Sequence, residues 1–249
     1  MKKIFQLIAL GSLVIACFIY SEKTMLVVRE YDDIMIKIKE NKKEVKPIEP
    51  IIKNNTIIPG LSGYKIDINK SYLKMKEYGK YNDNLLVYKK VLPKKILKDH
   101  KDKYIISGNK SKKMVSLVLL VDNKYIDKIP SNIKLNLFPK QILDNYENYN
   151  ERIKGYYKYD DWLRSTYKAN HMKVNYCFID KECFKNNLYV IKSDVIKNNY
   201  LLMTKKSLMN GSIIVYEVNN SFLEELNLII NYINSKGYEI VYLEELLKE

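Results

Sequence analysis

Histidine, arginine and cysteine are scarce in this sequence of 249 residues. It has two histidines, three cysteines and three arginines, Arg29, Arg152 and Arg164, against 40 lysines. Because no cysteines or histidines cluster at ligand spacing, the sequence argues against a structural zinc site. Three scattered arginines also argue against a nucleic-acid-binding surface, since bidentate contacts to phosphate and guanine depend on arginine. We therefore expect no nucleic-acid partner.

Proline and glycine are also few, with 6 and 8 residues, while 47% of the chain is hydrophobic. This composition excludes a collagen-like chain and wholesale disorder, and the length accommodates one or two folded domains. The formal net charge is +14, and the excess of lysine occurs together with 22 tyrosines. Such a composition fits the codon bias of an AT-rich genome, so the charge alone does not indicate a function.

The N-terminus contains the longest apolar run. Lys2 and Lys3 precede residues 4–20 (IFQLIALGSLVIACFIY), which as a helix would measure about 26 Å at about 1.5 Å per residue. With flanking lysines this length can cross a hydrocarbon core of roughly 30 Å. We predict a single-pass membrane anchor over residues 1–22. By the positive-inside rule its N-terminus is cytoplasmic and the remaining chain is extracytoplasmic.

Two alternatives compete with an uncleaved anchor. A cleaved signal peptide requires small residues at positions −3 and −1 of its cleavage site, and the end of the run offers no convincing pair of them. A lipoprotein signal would use Cys17, which follows Val14-Ile15-Ala16, but the bulky residues after Cys17 argue against that interpretation.

Residues 24–45 repeat apolar side chains at three- and four-residue spacing, at Val28, Tyr31, Met35 and Ile38. This pattern predicts an amphipathic stalk helix that packs on the body of the protein or on a second copy, which would make a homodimer. We assign residues 23–55 to this helix and a linker containing Pro47 and Pro50.

Residues 56–112 are predicted to form a small basic module. From residue 64 to 113 there are 15 lysines against 5 acidic residues. Clustered lysines attract acidic lipid headgroups or an anionic envelope polymer. A solvated face whose charge reflects composition explains the surplus equally well.

Strand and helix patterns alternate in the C-terminal half. Apolar, β-branched segments predict strands over residues 114–121, 133–138, 188–193, 212–218 and 239–243. Residues 221–235 predict a helix with Ser221 as its N-cap, Glu224 in the capping-box position and Gly237 as its stop. This alternation indicates an α/β domain.

These segments resemble the polysaccharide deacetylase family, the NodB-homology domain of metal-dependent carbohydrate esterases. Residues 210–215 (NGSIIV) and 233–246 (INSKGYEIVYLEEL) are similar to the family's final strand, helix and strand, while 116–121 (SLVLLV) and 132–138 (NIKLNLF) are similar to its first two core strands. The resemblance implies a truncated or irregular (β/α) barrel over residues 113–249, preceded by the transmembrane helix and the stalk helix.

The family's catalytic groups do not match this sequence. The resemblance implies paired aspartates at the end of the first strand, where only Asp122 is recovered, and two metal-binding histidines after the second strand, where residues 139–170 contain none. Lys173 and Tyr176 stand in the segment that lines the family's groove, and Glu217 replaces its leaving-group histidine. We therefore expect no catalytic residue, no metal and no cofactor.

Asp122, Lys173, Tyr176, Asp194 and Glu217 are consequently predicted to be vestigial groove residues. The two histidines, His100 and His171, lie in polar surroundings typical of surface residues. Carboxylates such as Asp160, Asp161 and Asp194 could hold a metal in principle, but their spacing matches no known ligand set.

Two further features have two interpretations each. Cys177 and Cys183 enclose five residues, and they form either a disulfide in an oxidising compartment or two buried thiols. Trp162, in a segment rich in tyrosine, is either a platform for sugar rings or a helix-packing residue.

The sequence thus predicts a membrane-anchored, extracytoplasmic deacetylase-like protein without esterase activity. We expect it to contact membrane lipid through residues 4–20 and to bind or scaffold an envelope glycan or anionic polymer. One alternative is an active metal-dependent deacetylase with a shifted site, and another is a purely structural or partner-binding envelope protein.

Overall fold

The computed structural model describes residues 2–41, 43–141 and 146–249. Met1 and Lys42, which belong to the predicted anchor and stalk segments, lie outside the described residues, as do residues 142–145. The chain forms two compact units, Met1–Lys46 with Gly63–Val91, and Pro47–Ser62 with Leu92–Glu249. Each unit has a hydrophobic core of its own.

Nine α-helices, thirteen strands and three short 3₁₀ helices (Asp83–Leu85, Leu97–His100 and Tyr146–Tyr149) are found in the described ranges. The helices are α1 Lys2–Glu30, α2 Asp33–Glu40, α3 Ile68–Tyr78, α4 Asn123–Ile126, α5 Asp161–Ala169, α6 Glu182–Lys185, α7 Tyr200–Ser207, α8 Asn220–Ser235 and α9 Leu243–Leu246. The strands are β1 Ile51–Lys53, β2 Thr56–Ile58, β3 Gly63–Ile66, β4 Tyr88–Val91, β5 Tyr104–Ile105, β6 Met114–Val121, β7 Leu135–Pro139, β8 Gly155–Tyr156, β9 Tyr176–Phe178, β10 Tyr189–Ile191, β11 Val195–Ile196, β12 Ile213–Glu217 and β13 Glu239–Ile240.

Helix α1 contains the apolar run. Its segment Leu10–Glu30 is long and apolar enough to cross a membrane, a property that a signal sequence near an N-terminus shares. Apolar side chains such as Leu10, Val14 and Phe18 are exposed along it. The prediction of an N-terminal apolar helix is confirmed, and its orientation in a membrane stays a prediction.

The predicted stalk helix is shorter than expected. Helix α1 continues to Glu30, and α2 begins only after Asp32, whose carboxylate accepts a hydrogen bond from Ile34 N. This cap interrupts the helix predicted over residues 24–45, because a capping residue has extended backbone angles. Met35 and Ile38 are buried in the core of the small unit, whereas Val28 and Tyr31 are exposed. A homodimer through this region stays a prediction.

The large unit is built from parallel strands. The order β11-β12-β6-β7 forms one set, and β8-β9-β10-β5-β2 forms a second, with β1 antiparallel to β2 at the edge. A parallel bridge between Leu137 and Ile153 connects the two sets. The strands of the described residues curve around a shared core without completing a ring of pairings. This arrangement is the irregular α/β barrel that the sequence predicts.

Side chains of the strands alternate between two cores. Val118 and Leu120 of β6 belong to an inner cluster that contains residues of both strand sets, including Phe138 and Ile191. Leu117 and Leu119 point the other way, into an outer cluster with residues of the covering helices. Leu243 and Leu246 of the C-terminal segment complete the inner cluster, so the barrel interior is filled by side chains.

The unit boundaries cut across the predicted division into residues 1–22, 23–55, 56–112 and 113–249. Strands β1 and β2 form a hairpin across the expected boundary at residue 55, with Ile52 opposite Ile57. Both strands belong to the large unit. The four-segment organisation stays a prediction about domains.

Cys177 of β9 and Cys183 of α6 form a disulfide in the structure. Both residues are buried in the outer cluster. Of the two interpretations that the sequence left open, the structure supports the cross-link. Cys17, in α1, is free and exposed.

Gly155 of β8 lies directly under the ring of Phe138, and a Cβ atom at this position would come within 2.2 Å of the ring atom Cζ. We predict that Gly155→Ala lowers the free energy of unfolding by about 1–3 kcal/mol, the usual range for overpacking a core. Urea denaturation of the full chain measures the change. In a Phe138→Leu background the same substitution should cost less, because the clash is removed. An equal loss of unfolding free energy in both backgrounds would show that the Phe138 ring does not restrict position 155.

Candidate functional site

Four adjacent parallel strands of the large unit end in charged residues. Asp122 follows β6, Lys140 follows β7, Lys197 follows β11, and Glu217 is the last residue of β12. Strand pairing aligns these ends, because Glu217 lies opposite Leu120 and Pro139 lies opposite Val121. The carboxyl ends of parallel strands are where open α/β sheets usually place their ligand sites.

The four side chains form one ion network, which we call the strand-end cluster. The Lys140 Nζ atom lies 2.7 Å from Glu217 Oε1 and 3.5 Å from Asp122 Oδ2. Lys197 Nζ lies 3.6 Å from the other oxygen of Glu217. Two positive and two negative charges make the cluster neutral. Lys140 is its most central member, with a side chain only 21% exposed.

The backbone around the cluster is held in place by buried groups. The single proton of the Tyr200 hydroxyl is shared between the carbonyl oxygens of Lys197 and Glu217, which lie 2.6 and 2.9 Å from the hydroxyl oxygen. The Lys140 amide donates to the Val121 carbonyl at 3.0 Å. Tyr200 is fully buried, so the ends of β11 and β12 are fixed by a side chain that cannot easily move.

Ion pairing moves the pKa values of Lys140 and Glu217 away from neutral pH. Burial alone would lower the pKa of Lys140, but its hydrogen bond to Glu217 and the charge of Asp122 outweigh burial, and its pKa is raised. The hydrogen bond from Lys140 holds the pKa of Glu217 below its usual value. General acid–base catalysis works best with a pKa near the working pH, so neither group is tuned for proton transfer at neutral pH.

The strand ends do not fit a divalent metal ion. Such ions require several oxygen, nitrogen or sulfur ligands without a competing cation, and here an ammonium group lies between the two carboxylates. His100 ends a short 3₁₀ helix before β5 and His171 lies in the turn before β9, so both histidines precede strands of the second set instead of joining the strand-end cluster. Within the described ranges, three potential ligand side chains meet at Cys177, Asp180 and Cys183, but the two cysteines form the disulfide.

Two of the predicted groove residues, Asp122 and Glu217, come together in the strand-end cluster. Lys173 is exposed in the turn before β9, and Asp194 is exposed before β11. Tyr176 begins β9 and is buried against Tyr189, and burial raises the pKa of its hydroxyl. The structure does not bring these three residues to the strand-end cluster, because Lys173 and Asp194 precede their strands and Tyr176 is the first residue of its strand.

Lys140 and Lys197 were not predicted as site residues. A charged lysine is not a metal ligand, so the family's ligand pattern does not point to either residue. One signal was available: each is the first residue after a strand, at the same edge as Asp122. Residues 64–113 alone contain 15 other lysines, so the abundance of lysine conceals the two that belong to the cluster.

Aromatic side chains lie at the carboxyl ends of two strands of the second set, β8 and β9. Tyr157 follows β8 and stacks on Phe178 at the end of β9, with ring centroids 6.4 Å apart and planes inclined by 16°. Trp162, in the first turn of α5, is 67% exposed. Asp180 accepts a hydrogen bond from the Tyr159 amide at 2.8 Å, which fixes the loop between β8 and α5.

Solved structures share this fold. BA3943 from Bacillus anthracis, described as a CE4 family pseudoenzyme, matches with a TM-score of 0.59 and 22% sequence identity, over 88% of this chain and 96% of that chain. A BA3943 mutant described as having restored enzymatic activity matches with a TM-score of 0.58 and 20% identity, over 88% and 99% of the two chains. The CE4 family is that of the polysaccharide deacetylases. The predicted deacetylase-like fold is therefore confirmed.

A curated sequence relative covers less of the chain. YlxY from Bacillus subtilis (strain 168), named an uncharacterized protein, is 36% identical over 105 residues. The match covers 40% of this chain and only 31% of the length of YlxY. No family model matches the chain.

We predict that Lys140→Met destabilises the large unit at neutral pH by about 1–2 kcal/mol, between the values of exposed and buried ion pairs. Asp122 and Glu217 would then repel each other without a cation between them. The loss should shrink as pH falls through the lowered pKa of Glu217, because protonated carboxylates no longer need Lys140. Urea denaturation at several pH values measures both effects.

Lys197→Met is the matched control, because Lys197 contacts the same carboxylate but is 69% exposed. Its effect should stay within about 0.5 kcal/mol. A Lys140→Met loss that does not change with pH would mean that Lys140 acts through packing and not through its charge.

Proposed function

We propose that this chain is a membrane-anchored, extracytoplasmic deacetylase-like protein that binds a glycan of the cell envelope and does not hydrolyse it. The observation that carries the proposal is the ammonium of Lys140 between Asp122 and Glu217. It occupies the strand-end edge where, by resemblance, a deacetylase would hold a catalytic metal.

The absence of esterase activity follows from the chemistry of the strand-end cluster. Hydrolysis of an acetamide requires activated water and stabilisation of a developing oxyanion, which metal-dependent esterases obtain from the metal. In the cluster, both carboxylates are already neutralised by lysines of the same chain. Binding a metal there would require displacing Lys140 and placing two cations close together, which Coulomb repulsion opposes.

The extracytoplasmic location rests on two features. Residues 4–20 lie in an apolar helix preceded by Lys2 and Lys3, and this charge pattern favours a cytoplasmic N-terminus. The disulfide between Cys177 and Cys183 favours an oxidising compartment, since such bonds are rare in the cytosol. Anchoring by α1 would hold the large unit on the outer side of the membrane.

Glycan binding is supported by aromatic side chains at the carboxyl ends of β8 and β9. The exposed indole of Trp162 and the stacked pair of Tyr157 and Phe178 offer flat apolar faces of the kind that pack against sugar rings. The carboxylates and ammonium groups of the cluster supply hydrogen-bond acceptors and donors for hydroxyl groups. A site of this kind can recognise a sugar without cleaving it. An anionic polymer attracted by the lysines of residues 64–113 is compatible with the same location.

We predict that the full chain releases no acetate from chitooligosaccharide or acetylated peptidoglycan, with or without added zinc. Acetate release and zinc content are measured on the same preparation. One zinc per chain together with turnover would contradict the proposal, provided that Asp122→Ala abolishes the turnover. Asp194→Ala is the control, because Asp194 is an acidic residue outside the cluster.

Trp162→Ala should weaken binding of the full chain to chitooligosaccharide or purified peptidoglycan by about tenfold, a loss of about 1.4 kcal/mol, because the exposed ring is the largest of these sugar-stacking surfaces. Co-sedimentation with peptidoglycan and calorimetry with the oligosaccharide measure the change. Tyr78→Ala removes a similarly exposed aromatic ring from α3 in the small unit and should leave binding unaltered. Equal effects of both substitutions would argue against a site at the strand ends.

A further inference from the structure

Arg152 is a buried cation whose charge has no carboxylate partner among the described residues. The whole residue is only 7% exposed. The Nη2 group donates to the Pro130 carbonyl at 2.9 Å, and Nη1 makes a longer contact of 3.4 Å with the Ile129 carbonyl. Within the part of the chain that the structure describes, the Nε–H group has no hydrogen-bond partner.

Burial of this kind is unfavourable without a counterion. Buried charges in proteins are normally paired, because two carbonyl contacts do not replace the hydration of a whole guanidinium group. Burial lowers the pKa of Arg152, yet an arginine in a protein keeps its proton. The positive charge therefore remains in a site that would be stabilised by an anion.

A cavity of about 490 Å³ opens beside Arg152. Donor groups around it come from Lys128, Ser131 and Asn227, while Tyr149 and Asp127 lie on the same wall. The Tyr149 hydroxyl donates to the Asp127 carboxylate, so the one acidic side chain among the described lining residues already has a partner. With Arg152 and Lys128 against Asp127, these described residues give the cavity a net positive charge.

This cavity is separate from the strand-end cluster. Its walls are the segment between α4 and β7, the turn that contains Tyr149, and helix α8. Arg152 lies beside Leu137 in the middle of β7, since the Leu137 amide donates to its carbonyl at 2.8 Å. None of Asp122, Lys140, Lys197 and Glu217 lines the cavity.

We infer that this cavity is a binding site for an oxyanion, a phosphate or carboxylate group of a ligand, held by the guanidinium of Arg152 and the ammonium of Lys128. A guanidinium presents its N–H groups in a planar fork that matches two oxygens of such a group. The side-chain groups of Ser131 and Asn227 can donate to the remaining oxygens. The inference does not depend on the proposed function at the strand ends.

The scarcity of arginine provides a direct test. The chain has three arginines, so the Nε–H signals of Arg29, Arg152 and Arg164 can be assigned by single Arg→Lys substitutions in a ¹⁵N-labelled full chain in detergent micelles. Titration with inorganic phosphate should shift the Arg152 signal in a saturable way. Arg164 is the internal control, because its guanidinium already bonds to Asn186 and Tyr159, and its signal should stay in place.

Lys128→Met is the matched variant, since Lys128 is exposed and its loss should not affect folding. It should weaken the phosphate effect about tenfold, equivalent to about 1.4 kcal/mol. A parallel titration with acetate distinguishes a phosphate site from a general carboxylate site. If the Arg152 signal does not move with either anion, or moves equally in the Lys128→Met variant, Arg152 only ties down the Ile129–Pro130 carbonyls and the inference is overturned.

Discussion

One ammonium group determines the character of the candidate site. Lys140 lies between the carboxylates of Asp122 and Glu217, and without it two negative charges would face each other at the ends of neighbouring strands. The chain itself thus supplies the positive charge that these acids require. The consequence is a strand-end edge that is electrically neutral and stable, but whose carboxylates and ammonium groups are engaged with each other.

Side chains fill the interior of the barrel, just as paired charges occupy its strand ends. The ring of Phe138 covers Gly155, and leucines of the C-terminal segment complete the inner cluster. The side chain of the last residue, Glu249, accepts hydrogen bonds from the amides of Gly60 and Leu97, so the C-terminus ties β2 and the segment before β5 to the barrel. The strands do not pair into a full ring, and side chains fill the centre of the barrel instead. We therefore expect ligands at the strand ends and in outer cavities.

The sequence predicted the framework better than the site. The strand over residues 114–121 matches β6, because an unbroken apolar run is typical of a strand buried on both faces. The prediction that Ser221 caps α8 was wrong. Asn219, two residues earlier, accepts the hydrogen bond from Phe222 N. Asparagine and serine cap helices about equally well, so local preference could not decide between them.

The candidate site depends on distances between side chains of different strands, and the hydrophobic periodicity of the sequence does not encode such distances. Asp122 and Glu217 could be found because each follows or ends an apolar strand, whereas Lys140 becomes important only through its position between them. Arg152 was visible in the sequence as one of three arginines, but its burial follows from how the segment before β7 folds over it. Charge partners from different strands are a tertiary property, and one sequence does not specify them.

X-ray diffraction at the zinc absorption edge, from crystals of the full chain grown with zinc at neutral pH, is the most direct test of the central claim. We expect Lys140 to stay between Asp122 and Glu217, with no anomalous signal beside these carboxylates. An anomalous peak coordinated by Asp122 or Glu217, with the Lys140 side chain turned away, would contradict it.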